Sequence, residues 1–368
     1  MTIVGCGIVG LATAAAIAER RLHVLLIGES RLGEASRAAA GMLAPQAEGL
    51  PRAVREFAVA ARDRFPDYIG RLRAATGIDV QLDRSGIIEL EPPDGPDNSI
   101  PAERHGSAWL DPQSLARLEP ALADQHGAGA WLHAGDGFVD NVALLSALET
   151  AVRATPRIRH IADSVEAIEL GDSHTVALTR GGTRHESGML VLAGGAWSPA
   201  LRGLPRTIRI EPVRGQMIAL RGAPIGHVVF GHDGYIVPRG RGRSIVGSTM
   251  ERVGFDSTTT ERGVASLRTM AASICPALAR APRIDAWAGL RPVTPDMLPM
   301  LGPDPAAARL LYACGHSRNG ILLAPITAEC IAALATGERP PADLAPFRPD
   351  RFDATGNWSR PASLGADA

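Results

Sequence analysis

The sequence of 368 residues predicts an α/β protein, and three patterns lead to this fold class. A short apolar strand, Thr2–Val4, runs into glycines with GxGxxG spacing and then into a helix of small apolar residues. The fully apolar run Met189–Leu192 is typical of a strand buried on both faces of a parallel sheet. Short strand-forming runs separated by turns fill residues 207–285. We therefore predict a Rossmann-like unit followed by a second, mixed α/β layer.

The glycines of the N-terminal fingerprint are candidate contacts for a cofactor pyrophosphate. Gly5, Gly7 and Gly10 hold its first, third and sixth places, and a second strand, His23–Ile27, follows at the spacing of a βαβ unit. Glycine here allows a tight turn, close approach of backbone N–H groups to phosphate, and close packing of the helix on the sheet. The helix N-terminus adds partial positive charge. A phosphate-bearing cofactor is the first functional inference.

The second strand ends without the acidic residue that usually binds the ribose hydroxyls. That acid is expected near position 28, where the chain has Gly28, with Glu29 one residue later. We predict that Glu29 takes the ribose-binding role after a one-residue adjustment. The alternative is that Glu29 is a solvated loop charge.

Composition excludes several classes of function. A formal charge of −1 gives no basic field for a nucleic acid, so no nucleic-acid partner is expected. All 38 cationic residues are arginine, which excludes Schiff-base chemistry, a P-loop lysine and a lysine general base.

Cysteine usage indicates a reducing compartment. Cys6, Cys275, Cys314 and Cys330 are scattered, and neither a disulfide framework nor a metal site is predicted from their spacing. The N-terminus lacks the positive region of a signal peptide and contains the fingerprint itself. No apolar run is long enough to cross a bilayer. We expect a cytoplasmic protein that does not act at a membrane.

The remaining elements follow from periodicity and end signals. Small residues at 33–45 leave backbone open to a flat ligand, and a glycine pair, Gly194 and Gly195, ends the buried strand where an open α/β sheet places ligand. The other predictions are one long helix within 51–76, β-like runs over 78–90, helices capped by Asp111 and by Asp140, a hairpin of 164–170 with 175–179, strands at 216–220, 235–238 and 244–247, a helix at 261–275, and a loose tail over 353–368.

Five blocks of sequence resemble the glycine oxidase (ThiO-type) branch of the D-amino-acid oxidase-like flavoproteins. They extend from residue 4 to residue 325 and are GCGIVG, ASRAAAGMLAPQAE, VLAGGAWSP, PVRGQM with GYIVP, and WAGLRPVTPDMLPMLGP with GHSRNGILLAP. The first block is shared by many nucleotide-binding proteins, whereas AAAGMLAPQAE and the last two blocks are specific in combination.

The resemblance implies noncovalent FAD. Covalent relatives such as sarcosine oxidases attach flavin through a cysteine, and none lies between Ala286 and Asp296. The implied contacts comprise the pyrophosphate turn, the ribose position, the segment against the isoalloxazine, a backbone contact to adenine, and a loop with the helix that follows it on the other side of the flavin. These cofactor residues are Gly5, Gly7, Ile8, Val9, Gly10, Gly28, Glu29, Ala35, Ser36, Ala40, Gly41, Met42, Val165, Gly194, His316, Ser317, Arg318, Asn319, Gly320, Ile321 and Leu322.

Three residues are candidates for binding the substrate. Arg291, in the GLRP motif, suits a carboxylate because a guanidinium pairs with it bidentately. Arg318 is placed to bind the same carboxylate or to bridge it to the flavin, with a structural ion pair as the alternative. Tyr235 would donate a hydrogen bond as a neutral phenol. His232 is read as a turn residue and His316 as part of the flavin loop, so no catalytic base is assigned.

The implied reaction is oxidation of glycine, sarcosine or a small D-amino acid. Hydride passes from Cα to flavin N5, the imine hydrolyses to the 2-oxo acid, and dioxygen yields hydrogen peroxide. The imine can also feed thiamine thiazole synthesis in this family. Related flavoproteins use a lysine near the flavin for oxygen reduction, and this chain has none. The alternatives are a D-amino-acid dehydrogenase that reduces a quinone, a noncatalytic nucleotide-binding module and, from the fingerprint alone, an NAD-dependent dehydrogenase.

The resemblance also predicts domain organisation and assembly. The FAD-binding domain is expected to be discontinuous, over 1–77, 140–206 and 286–352. The substrate domain, a mixed α/β unit built on an antiparallel sheet, would comprise 78–139 and 207–285. The resemblance also implies a homotetramer. The expected small-molecule partners are a small amino acid as substrate and dioxygen as electron acceptor.

Overall fold

The computed structural model describes residues 1–50, 52–91, 106–123 and 129–352. Within these ranges the α-helices are α1 (Ile8–Glu19), α2 (Ala35–Ala38), α3 (Arg52–Asp63), α4 (Phe65–Thr76), α5 (Pro112–Leu118), α6 (Asn141–Ala154), α7 (Glu261–Ile274) and α8 (Gly320–Ala335). Short 3-10 helices cover Pro120–Leu122, Gly195–Ala200, Pro276–Leu278, Ala345–Phe347 and Pro349–Arg351.

The same ranges contain strands that form two large and two small sheets. In chain order they are β1 (Thr2–Val4), β2 (Val24–Ile27), β3 (Met42–Leu43), β4 (Leu82–Asp83), β5 (Ile87–Leu90), β6 (Ala108–Leu110), β7 (Ala130–His133), β8 (Gly137–Val139), β9 (Ile158–Ile161), β10 (Val165–Leu170), β11 (Thr175–Thr179), β12 (Arg184–Ser187), β13 (Leu190–Leu192), β14 (Glu211–Arg221), β15 (Val228–Gly231), β16 (Gly234–Arg239), β17 (Arg243–Gly247), β18 (Arg283–Val293), β19 (Met300–Asp304) and β20 (Ala307–Cys314).

The first large sheet confirms the predicted Rossmann-like unit. Its order is β19-β20-β13-β1-β2-β9, and β1 pairs in parallel with both β2 and β13. Strand β13 is buried along its whole length, as its apolar sequence predicts. Helix α1 packs against α8 and α6 in the main hydrophobic core, and its small side chains permit this close approach.

The second large sheet confirms the mixed layer on an antiparallel sheet. Its order is β18-β14-β17-β16-β15-β5-β7-β6, with β15 and β5 as the parallel pair among antiparallel ones. Helix α7 covers one face and shares a separate apolar cluster with the strands. The long pairing of β14 with β18 brings Gly215 opposite Gly289 and Val213 opposite Arg291.

The prediction of one long helix within 51–76 is wrong. The segment forms two helices, α3 and α4, which are separated at Arg64. Pro66 lies in the first turn of α4, where N–H groups have no acceptor within the helix, so the missing N–H of proline costs no hydrogen bond. Its ring would clash with the carbonyl four residues earlier in a continuous helix, so the chain turns there instead.

The predicted caps and the hairpin are confirmed. Asp111 accepts a hydrogen bond from the Ser114 amide at 2.6 Å, and Asp140 accepts from the amides of Val142 and Ala143 at 3.0 Å each. Such caps satisfy amides that the first helical turn leaves unpaired. Strands β10 and β11 form the hairpin, which β12 extends to three strands.

Strand β18 crosses one of the predicted domain boundaries. Residue 286 falls inside β18, whose residues pair with β14 up to Val293, so 286–293 belong to the eight-stranded sheet. A boundary that interrupts a paired strand would break its ladder of hydrogen bonds. The rest of the predicted division stays a prediction, and the predicted loose tail at 353–368 lies outside the described residues.

Candidate active site

A cavity of about 860 Å³ lies between the two large sheets. On one side it begins at the carboxyl ends of β1, β2, β13 and β20, the edge at which a parallel sheet places its ligand. On the other side it reaches β14, β16 and β18 of the eight-stranded sheet. The topology therefore gives one continuous space with a glycine-rich end and an arginine-containing end.

Two of the fingerprint glycines, Gly5 and Gly10, occupy places that no other residue fits. Gly5 has φ +109°, and a Cβ there would lie 2.3 Å from the carbonyl oxygen of Ala193. A Cβ on Gly10 would lie 1.9 Å from the carbonyl oxygen of Gly5, so Gly10 serves helix packing and does not line the cavity. Gly7, Ile8 and Val9 line it at the N-terminus of α1. The Ile8 amide donates to Ser36 Oγ at 3.0 Å, and the amides of Gly7 and Val9 can bind an anion at this end of the helix.

Position 28 is glycine for a steric reason. A Cβ on Gly28 would lie 2.6 Å from the Cys6 amide nitrogen, so an acidic side chain cannot stand there. Glu29 lines the cavity, and its carboxylate lies 3.1 Å from Arg180 and 3.8 Å from Arg31. Its ribose-binding role stays a prediction.

The small-residue segment forms one wall of the cavity. Ala35, Ser36, Ala40, Gly41 and Met42 all line it. Gly41 has φ +74°, and a Cβ would lie 2.1 Å from the Val139 carbonyl oxygen. Glycine is therefore required for the turn that exposes this backbone.

The other predicted cofactor contacts divide by position. Val165 and Gly194 line the cavity, as do His316, Ser317, Arg318, Gly320 and Ile321. Asn319 precedes the first residue of α8, and Leu322 is buried in the main core, so neither lines the cavity.

His316 is buried in the loop that precedes α8. Its Nε2 lies 3.2 Å from Thr327 Oγ1, and burial lowers the pKa of its imidazole to about 3. The ring is therefore neutral at physiological pH. This state suits a residue that shapes a loop and does not suit a cationic group that stabilises negative charge.

Arg291 is a partly buried cation at the substrate end. Its Nη2 donates to Ser248 Oγ at 2.5 Å and its Nη1 to the Thr249 carbonyl at 3.2 Å. A Cβ at position 215 would lie 2.2 Å from Arg291 Nη1, so Gly215 makes room for the guanidinium. Burial lowers the pKa of Arg291, and no carboxylate in the described ranges lies within 4.0 Å of it. A guanidinium that is partly removed from water and lacks a carboxylate partner favours an anionic ligand.

Tyr235 lies beside Arg291 at the same end. Its hydroxyl donates to Met217 Sδ at 3.6 Å, and its ring stacks on Phe230 with centroids 6.0 Å apart. Burial raises the pKa of the phenol, so it keeps its proton and can donate to an anion. Tyr235 and Arg291, both predicted to bind the substrate, thus line the same end of the cavity. Their substrate-binding role stays a prediction.

Arg318 differs from Arg291 because it has a carboxylate partner. Its Nε lies 2.8 Å from Glu48 Oε2, an ion pair that lacks the alignment of a good hydrogen bond. Glu48 is 5% exposed, and burial raises the pKa of its carboxyl group. Glu48 is not among the predicted site residues, although it lies in the block AAAGMLAPQAE. Nothing in the local sequence connects it with Arg318.

Two further features were sought among the described residues, a metal-ligand cluster and a membrane-spanning helix. No group of three or more His, Cys, Asp or Glu side chains there is arranged to hold a metal ion. None of the described helices combines the length and apolar character needed to span a bilayer. His232 is 82% exposed beside Asp233, as the reading of a turn residue predicts.

Comparisons with known proteins agree with the geometry. A family model described as FAD dependent oxidoreductase (DAO) matches residues 1–334. The glycine oxidase of Geobacillus kaustophilus is 34% identical over 363 residues, which cover 94% of this chain and 95% of that protein. A crystal structure of glycine oxidase from the same organism has a TM-score of 0.88 at 33% identity and covers 95% of this chain and 98% of that one.

A second kind of relative is longer than this chain. The bifunctional protein ThiO/ThiG of Synechocystis sp. is 36% identical over 367 residues, which are 96% of this chain and 54% of that protein. The chain thus spans about half the length of this relative.

Proposed function

Because the chain belongs to the family of FAD-dependent oxidoreductases, we propose that it oxidises glycine or another small amino acid, such as sarcosine or a small D-amino acid. The observation that carries this proposal is Arg291, a partly buried guanidinium that lines the cavity and has no carboxylate within 4.0 Å in the described ranges. A substrate carboxylate would supply the missing charge and accept two parallel hydrogen bonds.

The residues of the cavity fit FAD. Its elongated space of about 860 Å³ begins at amides of the α1 N-terminus, where a pyrophosphate can be held, and runs past the open backbone of Ala40 and Gly41. The N-terminus of α8 adds a second favourable place for negative charge. FAD, when bound, supplies the two-electron acceptor and passes the electrons to dioxygen.

We propose that FAD is held without a covalent bond. Cys6 and Cys314 are the cysteines that line the cavity in the described ranges. Burial raises the pKa of Cys6 to about 11 and that of Cys314 to about 12, so both stay thiols. Thiols without thiolate character are poor nucleophiles.

The chain's own residues would act by binding and orienting the substrate. Arg291 holds the carboxylate, and Tyr235 donates to its second oxygen. Together they fix the orientation of Cα. No general base is assigned, because the neutral amine of the substrate can expel the hydride with its own lone pair. The chain would then release an imine that hydrolyses to the 2-oxo acid, with hydrogen peroxide as the second product.

The supporting relatives suggest a biological setting. Relatives named ThiO/ThiG motivate a role in thiamine thiazole synthesis, where the imine from glycine would be used. We also propose a homotetramer and a cytoplasmic location. Size-exclusion chromatography with light scattering tests the first, and fractionation of cells tests the second.

One anaerobic experiment tests the function. The purified protein is mixed with glycine without oxygen while its visible spectrum is recorded, and air is then admitted with a peroxide assay. We expect a flavin spectrum that bleaches and returns with formation of peroxide. Bleaching without return in air would favour a dehydrogenase that uses another acceptor. Flavin that glycine, sarcosine and D-alanine all fail to bleach would contradict the proposal.

A further inference from the structure

Arg239 is a buried guanidinium, outside every residue assigned to the site so far. It lies at the end of β16 and is 8% exposed. Burial lowers the pKa of Arg239 to about 10, so it stays charged at neutral pH. No carboxylate in the described ranges lies within 4.0 Å of it. A charge buried in this way is costly to fold, which calls for a reason beyond packing.

The hydrogen bonds of Arg239 all go to neutral acceptors around the cofactor wall. Nη1 donates to the Val139 carbonyl at 3.0 Å, and Nη2 donates to the Ala40 carbonyl and to Asn141 Oδ1, the latter at 3.3 Å. The guanidinium also lies over the ring of Phe138, with Cζ 4.8 Å from its centroid. One side chain thus joins the eight-stranded sheet to the segment that carries Ala40.

Asn141 extends this contact toward the pyrophosphate turn. Its Nδ2 donates to the carbonyls of Ser36 at 2.9 Å and Arg37 at 3.2 Å. Ser36 Oγ in turn accepts from the Ile8 amide at 3.0 Å. Because the guanidinium has only donors and the carbonyls are only acceptors, the amide of Asn141 has one orientation that satisfies both. A connected network therefore links Arg239 with the first turn of α1.

The charge of Arg239 lies directly behind the cavity wall. Gly41 lines the cavity, and a Cβ there would lie 3.1 Å from Arg239 Nη2. Tyr235, four residues earlier on β16, faces the same cavity. A reduced flavin gains negative charge. A positive charge separated from the cavity only by the backbone at Gly41 favours that gain.

We propose that Arg239 is a positioning residue that holds the segment 36–41 in its FAD-binding conformation and supplies positive charge to that wall. The charge matters in a chain without lysine, since it offers compensation for an electron-rich cofactor. This role depends on the binding of FAD and is independent of which amino acid is oxidised.

The test separates geometry from charge with three variants. Arg239→Met removes both. Arg239→Lys keeps the charge but loses the planar guanidinium that donates to three acceptors. Arg262→Met, which changes an exposed arginine on α7 away from the cavity, is the control. Apoprotein is titrated with FAD by fluorescence quenching, and the reduction potential is measured by equilibration with a reference dye. Thermal unfolding of each apoprotein is followed by circular dichroism.

We expect Arg239→Met to weaken FAD binding by about tenfold to a hundredfold and to shift the reduction potential to a more negative value. Arg239→Lys should bind FAD less tightly than the wild type but keep the wild-type potential. Arg262→Met should match the wild type in both FAD affinity and reduction potential.

Two outcomes would overturn the proposal. The first is a folded Arg239→Met protein with altered thermal stability but unchanged FAD affinity and potential, since Arg239 would then serve stability alone. If that variant does not fold, Asn141→Ala breaks the network from its other end and keeps the charge. It should weaken FAD binding and leave the potential unchanged, and unchanged affinity in it is the second overturning outcome. Neither measurement uses a substrate, so failure here is distinct from failure to oxidise glycine.

Discussion

Glu48 and Arg318 form an ion pair within the cavity, with 2.8 Å between Glu48 Oε2 and Arg318 Nε. Arg291 at the same end has no such partner in the described ranges. One guanidinium is therefore compensated and one is left for an incoming anion. This charge count matches an amino acid with a single carboxylate.

Removing the charge of Glu48 should change the preference of the site for anions. In Glu48→Gln, Arg318 is released, so we expect malonate to gain about tenfold in affinity relative to acetate. The measurement is perturbation of the flavin spectrum by each anion. Glu329→Gln, which affects an ion pair with Arg64 outside the cavity, is the control. An unchanged malonate-to-acetate ratio in Glu48→Gln would contradict this account.

Arg291→Met should lose activity without losing stability. We expect kcat/KM for glycine to fall at least about a hundredfold, because charge-assisted hydrogen bonds to the carboxylate disappear. The apoprotein should be as stable as the wild type in urea, since a partly buried charge without a carboxylate partner has been removed. Arg214 provides the contrast, because it lies 2.6 Å from Glu251 and 2.6 Å from Asp256. Arg214→Met should cost about 1–3 kcal/mol, and a similar loss in Arg291→Met would assign Arg291 a structural role.

Tyr235→Phe should weaken substrate binding while leaving the cavity intact. The ring stays stacked on Phe230, and only the hydroxyl is removed. We expect kcat/KM for glycine to fall about tenfold, the value of one hydrogen bond to a carboxylate. Steady-state kinetics measures this, with the visible spectrum as the check that FAD remains bound. Kinetics equal to those of the wild type would remove Tyr235 from the substrate site.

Gly28→Ala should impair cofactor binding through a clash with Cys6. The new Cβ would lie 2.6 Å from the Cys6 amide nitrogen and 2.8 Å from its Cβ, so the turn at 5–7 must move. We expect a loss of about 1–3 kcal/mol in stability and weaker binding of FAD. Gly70→Ala on α4, where a Cβ meets nothing within 4 Å, is the matched control and should be neutral or stabilising. FAD affinity unchanged in Gly28→Ala would show that the turn tolerates a side chain.

His316 should make the apoprotein sensitive to mild acid. Burial lowers the pKa of His316 to about 3, below the value of about 6.5 in an unfolded chain. The unfolded state therefore binds a proton first as pH falls. The contribution is complete above about pH 6.5 and is lost progressively toward pH 3. Between about pH 7 and about pH 5 we expect a loss on the order of 2 kcal/mol that His316→Asn abolishes, measured by urea unfolding. The control is His232→Asn at an exposed position, which should keep the wild-type dependence of stability on pH. If His316→Asn also keeps that dependence, His316 is not held neutral in the folded protein and the prediction is wrong.

Local sequence determined much of this protein. The fingerprint glycines, the buried strand β13 and the caps at Asp111 and Asp140 follow from chemistry within a few residues. Arg291 and Tyr235 could also be identified, because their block positions resemble those of a known family. The prediction of one long helix was wrong because Pro66, within an otherwise helical pattern, begins a second helix.

Tertiary structure alone decided which distant groups meet. Glu48 reaches Arg318, and Arg239 reaches the Ala40 carbonyl across 199 residues of sequence. Such contacts depend on strand order and register, which periodicity does not encode. The sequence by itself therefore determined many of the elements, and its resemblance to a known family indicated the cofactor class and the candidate anchors. Folding decided which buried charges are compensated, because compensation depends on distance in space.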